Sequence, residues 1–331
     1  MRQTKRIFGK FHKTHFSGRF SQWAGVAVLL AFCVAPASRA QQPGQKTFSS
    51  AAQASAAFMT AAKNNDQTAL LAILGPAGKN IISSGDSTQD RERRANIAQK
   101  YEQMHRLVKE PDGTTTLYIG AENWPLPIPL ERKGNAWFFD TEAGEKEILY
   151  RRVGENELSA IRICQALAAA QKDYYATHGD QYAKQIFSDE GQQNGLYWKV
   201  AAGEPQSPIG PLVAAAVAEG YDKGRNGPPT PYRGYLFHVL TSQGKDAPGG
   251  AKSYIVDGKM TQGFAFVAYP AEYRSSGVMT FIVGTNGVVY RKDLGKETDV
   301  LGKEMKEYNP GPGWQKDKDQ QEMTASTQGS K

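Results

Sequence analysis

Cysteine is scarce: the 331 residues carry only Cys33 and Cys164. Cys33 falls in a segment expected to be removed, which leaves Cys164 alone and excludes an intramolecular disulfide. Stability then rests on an ordinary apolar core, which the residues from Gln41 to Lys331 are numerous enough to build. Histidine is also rare. Beyond the leader it occurs at His105, His178 and His238, in no HExxH, HxH or CxxC arrangement, so zinc is not expected. GxSxG, Walker A and GxGxxG are all missing, which removes the commonest hydrolase, nucleotide and dinucleotide signatures. The longest apolar run, Ala24–Ala35, is shorter than the roughly 20 residues a spanning helix needs.

A basic excess in the body is absent too. The net charge is +7, but Arg2, Lys5, Arg6, Lys10, Lys13, Arg19 and Arg39 lie in the first 40 residues, with no acid among them. Without them the chain has 33 basic and 33 acidic residues, so nothing points to nucleic acid as a partner. Those 40 residues have the layout of a signal peptide: a basic start, the apolar run, then Ser38-Arg39-Ala40 before a cut at Gln41. The expected location is periplasmic or secreted, with no stable membrane span after cleavage. Thr4–Lys10 approaches a twin-arginine motif with one Lys replacing Arg. Leu30–Cys33 has a lipoprotein-box outline, spoiled by Phe32.

What is present reads as an α+β protein of two halves. After a linker at 41–47, an N-terminal α+β domain is expected over 48–154. Ala51, Ala54, Phe58 and Ala61 recur at helical spacing after Ser49 or Ser50. Asp66 is placed to cap a second helix that stops at Gly75-Pro76. A third helix is expected over Gln89–Val108, its Arg/Glu-rich face solvated. Strands follow at Thr114–Ile119, Trp124–Leu130 and Ala136–Asp140. Prolines at 125, 127 and 129 strip N–H groups from one edge only, which marks an edge strand.

A charged helix over 142–154 is expected to end at Gly154, and the domain boundary is placed there. The second domain, 155–308, opens with a long helix, about Glu157 to Thr177, whose apolar stripe includes Cys164 as a buried small hydrophobe. A short helix near Pro211–Glu219 precedes strands at Tyr235–Thr241, Gly263–Tyr269, Val278–Val283 and Val288–Arg291. Asn286-Gly287 between the last two is a hairpin signal. Residues 309–331 read as a disordered tail.

Trp124–Leu130, Trp137–Gly144, Arg151–Leu158 and Gly277–Tyr290 together resemble a family of exported bacterial proteins catalogued as domain of unknown function 2950. The resemblance covers nearly all of residues 46–315 and implies export, without implying any activity, cofactor or catalytic residue. More weakly, residues 155–295 are similar to the globular part of pilins and pseudopilins, although no processing site precedes the helix. The N-terminal half is loosely similar to the cone folds of the nuclear-transport-factor-2 type, an analogy of fold alone.

No catalytic, metal or cofactor-binding residues stand out. Asp293, Glu297 and Asp299 fit no calcium loop and read as a solvated face. Binding candidates are Glu272 and Arg274, in a polar loop between two strands, and His238 on a strand. Two functions are expected. The first is a non-catalytic module that binds an envelope protein or scaffolds an assembly. The alternative is a small-ligand binder or hydrolase with a cavity in the N-terminal half, walled by Trp124, Trp137 and Phe139.

Overall fold

The Ser50 hydroxyl accepts a hydrogen bond from Gln53 N–H and starts α1 (Ala51–Lys63). Asp66 does the same for α2 (Gln67–Leu74), which ends where Gly75 turns to φ +74°. A short α3 (Lys79–Ile82) leads to Asp86, whose carboxylate caps α4 (Ser87–Gln103) through Gln89 N–H. The computed structural model describes residues 41–317 apart from 202, 220 and 222–229. The leader and residues 318–331 therefore lie outside it. The described residues belong to one compact unit, and none of their helices is long and apolar enough to cross a membrane.

The third helix is shorter than its periodicity predicts. Met104 is extended, and β1 (His105–Lys109) pairs antiparallel with β2 (Thr115–Ile119) over all five residues. Gly120 N–H closes the helix end by bonding the carbonyls of Lys100 and Met104. The Trp124–Leu130 strand is also corrected. Trp124–Pro125 (β3) pairs with β2, Leu126 N–H still bonds Leu117 O at 2.8 Å, and the chain then leaves the ladder until β4 (Leu130–Lys133), which pairs with β5 (Ala136–Phe139). Pro127 and Pro129 have no N–H to give, yet Leu126, Ile128 and Leu130 still share one buried face. This sheet runs β1-β2-β4-β5, with β3 attached to β2.

The break expected at Gly154 is not there. One helix, α5, runs unbroken from Thr141 to Thr177, capped by Asp140. A glycine weakens a helix by about 1 kcal/mol. Arg152 and Asn156, two residues to either side, are buried and bonded to other elements, and that packing holds the helix through the weak point. Early on, α5 offers Ile148 to an apolar core built by α1, α2 and the first sheet. Later, its Ala160–Tyr174 stripe belongs to a second core.

That second core is built on an antiparallel sheet. Its strands are β6 (Tyr235–Leu240), β7 (Ala265–Pro270), β8 (Met279–Gly284), β9 (Val289–Asp293) and β10 (Gln315–Lys316), in the order β10-β9-β8-β7-β6. All six residues of β7 are buried, because α5 packs on it and so does α7 (Thr298–Glu304). The helix α6 (Gly210–Ala218) completes the half. The tail expected from Asn309 is ordered as far as Asp317: Asn309 Oδ1 accepts from Asp246 N–H at 2.9 Å, and β10 pairs with Tyr290 and Arg291.

Cys164 is fully buried on α5, and burial pushes its thiol up to about 12. It should resist iodoacetamide at about pH 8 and react once denaturant opens the core. Peptide mass mapping reads this directly. Equal labelling of native and unfolded protein would mean the core admits solvent.

Candidate ligand site

A cleft of about 360 Å³ opens between α4, the middle of α5 and the elements that enclose the first core. One wall is apolar, its surface supplied by the half-buried Ile81, Ile97, Trp124, Pro127 and Ile148 over core side chains such as Leu70 and Leu74. The other carries Arg93, Arg94, Arg151, Arg152 and Arg233 against Asp90, Glu92 and Glu155. The solvated face expected on α4 is only part of it: Arg91, Glu92 and Glu102 are exposed, but Gln89, Asp90 and Arg94 are all under a tenth exposed.

Two of these arginines hold backbone rather than acids. Arg152, 2% exposed, donates from Nη1 to Asn80 O at 2.7 Å and from Nη2 to Ile81 O. Its Nε is buried without a partner. Arg94 donates from Nε to Asn65 Oδ1 at 2.7 Å and from Nη1 to Ile82 O at 2.6 Å. Burial pulls Arg152 down to about 10, with Asp90 opposing, so it remains charged at neutral pH. Burial also lowers Arg93 and Arg94. The remaining arginines have acidic contacts. Arg93 Nη2 meets Glu155 at 3.0 Å, Arg151 Nε meets Glu147 at 2.6 Å, and Arg233 Nη2 meets Glu219 at 2.6 Å. Arg151 also lies over the Trp124 ring, 5.6 Å from its centre.

A buried polar seam fixes the cleft's floor. Asn156 Oδ1 accepts from Gln89 Nε2 at 2.8 Å, while its Nδ2 donates to Ser276 O at 2.8 Å. Asp86 Oδ2 accepts from Tyr221 O–H at 2.8 Å and from Gly234 N–H at 2.9 Å. Arg233 and Gly234 both have positive φ, +52° and +76°, in a tight turn closed by Tyr232 and Tyr235. A side chain at 234 would also strike Asn156. That turn delivers Arg233 to the cleft.

The candidates from sequence end up apart. Exposed Glu272 packs its side chain against Gly85 and acts electrostatically on Arg152, so it lies near the cleft. Its loop is taken up in the seam, with Ser275 Oγ donating to Ser83 O. Arg274 is exposed and stacks on Tyr273. His238 shares its Nε2 with Met305 O at 2.9 Å and sets its ring edge-on to Tyr269. Of the three aromatics expected to wall a cavity, Trp124 does. Phe139 is buried against Phe58, and the Trp137 backbone pairs with Phe48, so neither reaches it. Sequence reasoning missed the arginines. Their signal was two Arg-Arg pairs, 93–94 and 151–152, on helices otherwise rich in acids. Among the described residues no group of three His, Cys, Asp or Glu side chains is placed to hold a metal.

The cleft lies in an α+β scaffold whose two larger sheets are five-stranded and antiparallel. The chain belongs to the family described as protein of unknown function (DUF2950), whose model matches residues 45–316. No curated protein matches it, and neither does any solved structure.

Proposed function

We propose that this is an exported, non-catalytic protein that binds a small molecule in the cleft between α4 and α5. The observation that carries this reading is the cleft's composition: an apolar wall facing arginines, two of which spend their bonds on backbone and amide oxygens. Ligand pockets have this make-up, mostly apolar with a few placed polar groups. The location rests on the leader's layout. Native mass spectrometry of the purified protein is expected to show a bound small molecule. Asn96 is exposed at the cleft, so Asn96→Trp should plug it and remove that mass at an unchanged melting temperature. Equal ligand retention by the variant would refute the site.

A second reading, docking of a protein partner, has one observation behind it. β6 ends its sheet, and a groove of about 510 Å³ lined by Leu212, Val213, Val217, Ile186 and Leu236 lies beside it. Exposed strand edges accept extended segments. Photo-crosslinkers at Leu212 would capture such a partner, whereas crosslinks confined to this chain would dismiss it.

A further inference from the structure

We infer that the cleft's ligand is a single-headed organic anion on a hydrocarbon body, a carboxylate of the fatty-acid kind. The inference rests on the small-molecule reading above and adds charge and shape to it. The walls carry five arginines, of which Arg93, Arg151 and Arg233 are ion-paired with Glu155, Glu147 and Glu219. Arg94 and Arg152 bring charges into the protein interior, where their hydrogen bonds go to uncharged oxygens and Asp90 acts on both electrostatically. Arg152 Nε is buried with no partner, so the wall holds a charged donor left unsatisfied where electrostatic interactions are stronger than in water. Arg93 is the reachable donor, with its side chain 28% exposed and only Nη2 engaged in the bonds seen.

The facing wall decides the rest of the molecule. The accessible apolar side chains of the cleft, Ile81, Ile97, Pro127 and Ile148, offer no hydrogen bond. A bare hydrated anion would gain nothing from them and would lose its water. A neutral hydrocarbon would leave the Arg93 and Arg152 donors unused. An anion with a tail uses both walls at once. At about 360 Å³ the cleft holds one small molecule and no folded segment.

Isothermal titration of the purified protein with decanoate, decan-1-ol, decyltrimethylammonium and acetate separates these choices. Decanoate is expected to bind at least about tenfold tighter than decanol, since one charge-assisted hydrogen bond is worth that much. Decanoate should bind far more tightly than acetate, by about fourfold for each buried methylene. Arg93→Gln should weaken decanoate about tenfold and leave decanol affinity unchanged. This variant is chosen because Arg152 holds backbone and its loss would disturb folding. Binding of decanol or the ammonium as tight as decanoate would overturn the anionic head while leaving the cleft a ligand site. Acetate matching decanoate would overturn the tail. Failure of all four to bind would take the small-molecule reading down with it.

Discussion

Asp86→Ala is expected to lower the unfolding free energy by about 3–5 kcal/mol, the range for removing one partner from a buried charged network. The carboxylate is 2% exposed and accepts three hydrogen bonds, from Gln89 N–H, Tyr221 O–H and Gly234 N–H. Alanine removes the α4 cap, worth about 1 kcal/mol, and strands a buried phenol and a buried amide at about 1–3 kcal/mol each. Tyr221→Phe should cost only about 1 kcal/mol, because Asp86 keeps two donors. Burial first, then Asp86, raises the Tyr221 phenol well above its ordinary value. The unfolded chain therefore ionises first. This contribution is whole below about pH 10 and is lost as pH rises beyond it. Urea unfolding of both variants measures the difference. A loss of under 1 kcal/mol for Asp86→Ala would mean that water replaces the carboxylate and the seam is not dry.

Two glycines on α5 should answer the same substitution with opposite signs. In a helix interior Gly→Ala normally gains about 1 kcal/mol. Gly154 has open space where a Cβ would go, so Gly154→Ala should gain about that much. At Gly144 the same Cβ would lie 2.6 Å from Pro127 O and 2.8 Å from Ile128 Cα. Backbone cannot swing aside as a side-chain tip can, so Gly144→Ala should destabilise by about 1–3 kcal/mol through overpacking. The measurement is the denaturant midpoint of each variant against the parent. Stabilisation by Gly144→Ala would show that α5 does not press on the 127–128 backbone.

The same pair shows what was legible in the sequence. Local signals read well: Ser50 and Asp66 cap their helices, Gly75 stops one, and the strands around Asn286-Gly287 pair as expected. These depend on a few neighbouring residues. Gly154 obeys the same local rule yet does not end the helix, because the contacts that carry α5 through it come from residues far along the chain. The site was hidden for the same reason. Arg94 and Arg152 look solvated on helices full of charge, and only the fold shows that Asn80, Ile81 and Ile82 turn their carbonyls toward them. Hydropathy periodicity cannot register a helix that buries its polar face. The tail at 309–317 was misjudged likewise, since its order comes from pairing with β9 and from Asp246 rather than from its own composition.

The seam has a temporal consequence. Asp86 waits for Gly234, 148 positions later, and Ser83 for Ser275, 192 positions later. As a ribosome delivers the chain, the first half emerges long before the residues that complete its buried acceptors exist. Loops that long close slowly. The nascent N-terminal half must therefore wait, incompletely paired and open to proteases, until the loop after β7 has been made. A product truncated before Tyr235 should never pass that stage and should be degraded in the cell.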